Sequence, residues 1–461
     1  MGVLLLTPAA SPAITVTRDM DRPMVSIVIP THNRQAMLRR TLTALGTQTY
    51  HRALFEVVVV ADGCTDGTAE MLRGYSDSLT LRFIEQACQG AAAARNNGAH
   101  QASGALLLFL DDDVEPSPGL VEAHVAAHQS RSGRIVMGPY VPFVHGRSDF
   151  FHMLLRSWWH DKFRTINEPG HRYTYEDLLT GNLSIDAELF ARTGGFDSAI
   201  RSAGREDYEF GARLIKAGVP FSFAPEALAY HHEDETTDID RALQRSRHEG
   251  HADVLIGQRH ADLRPTLRLV HFGEPTGVRD FLVHAMAFRY PGLGDRLAGW
   301  LRQALRIFES LRLRRMWRFA FTGLRHYWYL RGVVDTLGSP KALMRFLQGG
   351  PAHSHHPSCD MEIDLRDGLE AVERRVNDAR PAGLRVRYGK HAVGRIPPQA
   401  GAERLRGPHL RHALATTLSW ELWKAVVMES ASAGSGVLPS FCGDPLIGPS
   451  FLRVLHADKS L

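Results

Sequence analysis

A chain of 461 residues exceeds one ordinary small domain, and 44% hydrophobic against 23% charged residues is the balance of a globular protein with real cores. A net charge of only +4 excludes a whole-protein nucleic-acid footprint. The cysteines Cys64, Cys88, Cys359 and Cys442 form no CxxC pair, which excludes a zinc or redox signature and fits a reduced, cytosolic protein.

Residues 1–23 lack periodicity and open on "MGVLLLTPAASPA", an apolar run with no basic flank, so they read as a disordered leader rather than a signal peptide. No window approaches the length of apolar sequence that a membrane-spanning helix needs. From Val25, "VSIVIP" is a continuous, largely β-branched run that predicts a strand buried on both faces. "NRQAMLRRTLTALGTQ" follows with Met37, Leu38, Leu42 and Leu45 at helical spacing. "FEVVVVADG" is a second buried strand, "TAEMLRGYS" a helix and "LTLRFIEQ" a strand. "GAAAARNNGAHQASG" is an Ala-rich helix ended by Gly104, and "ALLLFL" is a strand that runs into Asp111, Asp112 and Asp113. Strands alternating with helices predict an α/β layer fold with a mainly parallel sheet. Ligands of such sheets lie beyond the carboxyl ends of the strands. Three of those ends here are polar: Thr31-His32-Asn33, Asp62-Gly63 and the aspartate triplet.

Residues 120–180 are less regular, and their aromatic-rich "FHMLLRSWWHDKF" either covers the sheet or lines an acceptor groove. Further on, "EDYEFGARLIKAG" predicts a helix stopped by Gly218, and "FSFAPEALAYHH" strand material. Residues 236–348 are helical and basic; between Trp300 and Arg331, eight arginines stand against one acid, Glu309, with eight aromatic residues interleaved. "GGPAHSHHPS" (349–358) is a linker, and its His353, His355 and His356 are linker residues rather than a metal site. A small α/β module spans 359–430, with "MEIDL" a strand, "LRVRYGKHAVGRI" a hairpin about Gly389-Lys390 and "RLRGPHLRHALATTLSWELWKAVVM" one helix. Residues 431–461 read as a flexible tail.

Three adjacent carboxylates repel one another, and a divalent cation relieves that repulsion. Hard oxygen ligands suit Mg²⁺ or Mn²⁺, which carboxylates and substrate phosphates hold together. An isolated acidic turn is commonly just solvated, so the triplet alone decides nothing. Glu206-Asp207 adds an acid pair at a helix start, where the dipole tolerates negative charge. His231-His232 ends a strand and offers imidazole, a common metal ligand.

The blocks "VSIVIPTHNR", "EVVVVADGCTDGT", "GAAAARNNG", "LLLFLDDDVEP", "GNLSIDAELFARTGGFD", "GREDYEFGARLIKAG" and "AYHHE" occur in order over residues 24–235. Together they resemble the family 2 glycosyltransferases of bacterial type, which have the GT-A fold. The resemblance implies a catalytic domain over 24–235 that moves a sugar, with inversion, from a nucleotide-diphospho-sugar to the hydroxyl of a saccharide, lipid-linked or envelope acceptor. It implies that Pro30, Thr31 and Asn33 border the nucleotide pocket, that Asp62 accepts from the base, and that Arg95 approaches the nucleotide or its phosphates. Asp111 and Asp113 match the DXD motif, with Asp113 the more direct ligand of Mn²⁺ or Mg²⁺, Asp111 also on the nucleotide side, and Asp112 the variable middle position that should matter least. Asp207 matches the general base, with Glu206 as the fallback. His231 or His232 matches a third metal ligand, His231 preferred. Gly194-Gly195 and "GNLSID" are expected to shape the sugar and acceptor side or simply to make tight turns.

Two other readings stand beside this one. A nucleotidyltransferase of the same fold would carry a Gly-rich, basic loop after the first strand, and "PTHNR" is not that loop. A catalytically silent nucleotide-sugar-binding protein would not need the acids and the histidine retained here. For 300–331, packing on the catalytic domain ranks slightly ahead of peripheral contact with the inner face of the cell membrane, and both rank ahead of nucleic acid.

Overall fold

The computed structural model describes residues 22–433 except 76–78, 130–132, 147–148, 201–203, 273–276 and 350–359, and beyond them residues 444, 445, 447 and 449. Most of the leader, nearly all of the linker with its three histidines, and most of the tail therefore lie outside the described residues.

The first half alternates as its apolar runs dictate: β1 (Val25–Thr31), α1 (Gln35–Leu45), β2 (Phe55–Asp62), α2 (Thr68–Arg73), β3 (Leu81–Gln86), α3 (Ala91–Gln101) and β4 (Leu106–Leu110). Every residue of β1, β2 and β4 is buried, which is why these strands read as unbroken apolar runs. β1 pairs in parallel with both β2 and β4. Helix α3 lies close on this sheet because Gly98 has no side chain; a Cβ there would stand 2.5 Å from Val28 Cγ1.

The chain continues through β5 (Val114–Pro116), α4 (Leu120–Gln129), β6 (Ile135–Met137), β7 (Tyr140–Pro142), α5 (Phe150–Ile166), β8 (Asn182–Asp186), α6 (Ala187–Arg192), α7 (Glu206–Lys216), β9 (Phe221–Phe223) and β10 (Ala229–His231). The main sheet has seven strands in the order β3-β2-β1-β4-β8-β6-β9, and β8 runs antiparallel to both its neighbours. A second sheet, β5-β10-β7, sits directly after the aspartates. The mainly parallel, helix-covered sheet expected from the sequence is present.

The helical extension comprises α8 (Glu233–Thr236), α9 (Ile239–Arg259), α10 (Val278–Phe288), α11 (Pro291–Ser310), α12 (Arg314–Leu337) and α13 (Pro340–Gln348). Among the described residues no helix is long and apolar enough to cross a membrane. Helices α9 and α12 meet backbone to backbone: a Cβ on Gly250 would strike Tyr329 O, and one on Gly332 would strike Arg247 O.

The last unit holds β11 (Asp360–Asp364), α14 (Leu369–Ala379), β12 (Gly383–Tyr388), β13 (His391–Ile396), α15 (Gly407–Ala415) and α16 (Ser419–Ala433). The single helix expected over 404–428 is two. Thr416 leaves helical geometry at φ −121°, ψ −87° and returns its hydroxyl to His412 O at 2.7 Å. Helix α16 also runs past the expected tail boundary, and Asp444 and Ile447 pack back onto the module. This module is stitched to the sheet domain: Tyr175 N–H donates to Gly401 O, and Glu403 N–H to Tyr173 O.

Candidate functional site

Strand β4 delivers its three aspartates to the carboxyl edge of the sheet, where they part company. Asp111 stays partly exposed and accepts from Arg95 at 2.7 Å. Asp112 is buried; it accepts from Thr31 Oγ1 at 2.7 Å and from Arg34 at 2.9 Å, and its carbonyl accepts from Thr41. Burial pushes its pKa up to about 6. The residue expected to matter least is therefore an anchor that ties the triplet to the end of β1 and to α1. Asp113 is buried and accepts from Arg34 and Thr236, both at 2.9 Å. Burial opposes its ionisation, but His231 and Arg34 outweigh burial and hold it below the usual carboxylate range.

His231 reaches Asp113 through sheet register. Strand β10 pairs antiparallel with β5, and His231 lies opposite Val114, the residue after Asp113. Its Nε2 stands 3.4 Å from Asp113 Oδ1. Tyr140 and Trp159 pack edge-on against the ring, each at 5.3 Å between centroids. Burial alone would lower its pKa, yet the Asp113 carboxylate raises it above the ordinary histidine value. Its Nδ1 is buried with no hydrogen bond among the described residues, and Glu233 is 3.7 Å away.

His232, the first residue past β10 and the cap of α8, turns from this site. It meets Glu115 at 2.8 Å, Arg40 at 2.9 Å and His145 at 2.7 Å. Neither Asp111 nor His232 joins Asp113 and His231 in one compact ligand group; the described residues hold one such group of three, His145–His232–Glu235. The Asp113–His231 pair still fits a hard divalent ion. Two ligands at about 2.1 Å and a right angle stand about 3.0 Å apart, and substrate phosphate and water complete such shells.

Helix α7 supplies the second half of the site. Glu206 is buried, accepting from Arg95 at 2.9 Å and from Gly204 N–H at 2.8 Å. Asp207 Oδ1 accepts only backbone N–H groups, those of Arg205 and Tyr208, and Asp207 has no ion-pair partner among the described residues. Burial, then the Glu206 charge, pushes its pKa up to about 7. Arg205 caps the helix at φ 88°, a left-handed conformation that side chains avoid. Its guanidinium pairs with Asp253 of α9 at 3.2 Å and lies 4.4 Å over the Tyr208 ring. The helical extension therefore positions the start of α7.

The expected nucleotide side is less open than its motifs suggest. Pro30 is buried within β1, and Thr31 points inward to Asp112. Asn33 is exposed at φ 52° and binds Thr65 N–H at 2.6 Å. Asp62 is buried and accepts from Gln86, Gln89 N–H and Gly90 N–H, which holds the start of α3. Arg95, expected near phosphates, is buried and engaged by Asp111 and Glu206. Gly195 makes a turn at φ 63° where a Cβ would lie 2.6 Å from Asn96 Oδ1.

The sequence motifs give no role to Arg34, Tyr140 or Arg205, whereas Trp159 belongs to the aromatic-rich "FHMLLRSWWHDKF" and Gly181 opens "GNLSID". Arg34 ends the quoted "PTHNR" block and was within reach of motif reasoning. Tyr140 and Trp159 arrive from the irregular 120–180 region, Arg205 from a helix cap, and Gly181 from the residue before β8. A Cβ on Gly181 would lie 3.0 Å from Asp111 Oδ2 and 2.9 Å from the Tyr140 ring, so this glycine leaves Asp111 its place.

The model described as "Glycosyl transferase family 2" matches residues 26–190, and one described as "N-terminal domain of galactosyltransferase" matches 161–235. Validoxylamine A glucosyltransferase of Streptomyces hygroscopicus subsp. limoneus is 36% identical over 44% of this chain and 51% of its own length. Glycosyltransferase AglE of Haloferax volcanii is 31% identical over 45% of this chain and 67% of its own. A mannosyltransferase of Pyrobaculum calidifontis, solved with GDP-Man and Mn²⁺, overlays with a TM-score of 0.46 at 19% identity, over 68% of this chain and 87% of its own. The chain spans about half the length of the first curated relatives it matches. The family 2 model spans the aspartate triplet, the second model spans the acid pair of α7 and His231, and with AglE 31% identical over 67% of its length the chain belongs to glycosyl transferase family 2.

Proposed function

We propose that the protein transfers a sugar from a nucleoside-diphosphate sugar to an acceptor hydroxyl, with inversion, in the presence of Mn²⁺ or Mg²⁺. The observation that carries this reading is the Arg95 bridge. One buried guanidinium joins Asp111, at the end of β4, to Glu206, at the start of α7. It sets a metal-side loop beside a basic carboxylate, which a transfer reaction requires and a solvated acidic turn does not. Names of relatives such as a validoxylamine A glucosyltransferase support the same class of activity.

In this mechanism Asp207 is the general base. Its raised pKa makes it a stronger proton acceptor than an ordinary aspartate, while its partial exposure leaves it open to an acceptor. It takes the hydroxyl proton as the oxygen attacks the anomeric carbon and the nucleoside diphosphate departs. Glu206, fixed by Arg95, keeps negative charge beside Asp207 and so keeps its affinity for the proton high. Asp113 and His231 would hold the cation, which supplies neutralisation of charge on the leaving phosphate. Asp111 faces the nucleotide side. Asp62, Pro30, Thr31 and Asn33 form the walls behind the base, with Thr31 acting through Asp112. A nucleotidyltransferase reading is disfavoured because no Gly-rich basic loop follows β1.

Thermal-shift titration with UDP-, GDP- and TDP-sugars, with and without Mn²⁺, tests the reading. A metal-dependent rise in Tm with one donor class is expected. No such rise with any of them would overturn it.

A further inference from the structure

The α11–α12 hairpin handles its apolar residues in two ways. Gly294, Ala298 and Leu305 of α11 are buried against the neighbouring helices. A second stripe, Leu293, Leu297, Trp300, Ile307 and Leu311, recurs at helical spacing and faces solvent, with Trp300 73% exposed. At the turn into α12, Met316 and Phe319 are exposed as well. Contiguous exposure of this kind marks an interaction surface. Arg312, Arg314, Arg315 and Arg318 stand exposed at the same turn, and none forms an ion pair among the described residues.

From this pattern we infer that the outer face of α11 and the start of α12 dock on an anionic lipid surface, lying in the interface without crossing it. An apolar stripe bordered by arginines matches acyl chains beneath negative headgroups. A second copy of the chain is a poor occupant, because a two-fold contact would bring the same arginines face to face. The acids of the hairpin do not balance them: Asp295 is bound by Tyr327 and Arg331, Asp335 pairs with Arg247, and Glu309, held by Phe150 N–H, is one charge against these four arginines. Nucleic acid would use the arginines but leave the stripe in water.

Co-sedimentation of the full chain with vesicles tests this. Vesicles of phosphatidylglycerol and phosphatidylcholine should bind the protein, and phosphatidylcholine alone should bind it far more weakly. Each arginine near an anionic surface contributes a factor of about five, so Arg312→Ala with Arg315→Ala should weaken binding about 25-fold, as should added salt. Trp300→Ser with Ile307→Ser should weaken it about tenfold or more, and since all four side chains are exposed, unchanged circular dichroism is expected. Equal binding by wild type and variants, or no binding to anionic vesicles, would overturn the inference. So would sedimentation equilibrium showing a dimer that Trp300→Ser dissociates.

Discussion

The sheet edge and the hairpin tip are built from similar residue types and treat them in opposite ways. At the sheet edge every guanidinium is matched: Arg34 with Asp112 and Asp113, Arg95 with Asp111 and Glu206, Arg205 with Asp253. At the hairpin tip, four arginines have no ion-pair partner among the described residues, and Trp300 and Met316 are exposed. A buried charge fixes geometry because leaving it unpaired is costly. An exposed charge fixes nothing inside the molecule and is available to something outside. Helix α5 touches both regions, with Phe150 against Trp317 of the hairpin and Trp159 against His231.

The comparison breaks first at Asp207. Asp207→Asn removes the proposed base and should lower sugar transfer by about 10²–10⁴-fold, read as initial rates with the donor identified by thermal shift. In the wild type the active form is the carboxylate, so kcat/KM should rise with pH to a plateau with an apparent pKa near 7. A variant that retains the wild-type rate would remove Asp207 from the mechanism.

Next in size is Arg95→Ala. It leaves Glu206 buried without its counter-charge and should cost about 3–5 kcal/mol in urea unfolding. The matching change at the hairpin, Arg315→Ala, should stay within about 0.5 kcal/mol. Equal losses at the two sites would dissolve the distinction between the regions.

That distinction also marks where sequence reasoning stopped. The strands were legible because burial on both faces leaves an unbroken apolar run, as in "FEVVVVADG", and the aspartates were legible as the end of one. Arg95 was noticed, but its partner Glu206 lies 111 residues away, and local pattern says nothing about such pairs. The burial of Asp112 depends on Thr31 and Arg34, brought in by the β1–β4 pairing. Likewise the preference for His231 rested on its place after a strand, whereas the register that sets it against Asp113 involves a separate sheet. The arginine- and aromatic-rich stretch read as one feature, yet the structure divides it. Trp317, Phe321, Tyr327 and Tyr329 are core, and the residues before Trp317 are largely surface.

The division within α12 has its own test. Gly250→Ala places a methyl group against the Tyr329 carbonyl, which is backbone and cannot rotate away. A loss of about 1–3 kcal/mol is expected from forced separation of α9 and α12, measured by chemical denaturation. Because α9 also carries Asp253, the partner of Arg205, the activity of the folded variant should fall too. Met316→Ser, on the exposed start of α12, should leave both unchanged.

The smallest expected effect is a gain of stability. The folded state raises the Asp207 pKa from 3.8 to about 7, so between those values it retains a proton that the unfolded chain releases. Unfolding therefore becomes easier as pH rises through this window, and the penalty is complete above about pH 7. Asparagine has no proton to release and can still accept from the Arg205 and Tyr208 N–H groups. Asp207→Asn should therefore be more stable than the wild type at pH 8, on the order of 1 kcal/mol given the partial exposure of the group, and close to it at pH 4. Melting curves at the two pH values measure the difference directly. A gain confined to high pH, together with lost transfer, would mean that the site holds its base at the expense of the fold. An equal Tm difference at both pH values would trace the effect to packing instead, and the carboxylate at the sheet edge would then be no more strained than the arginines at the hairpin.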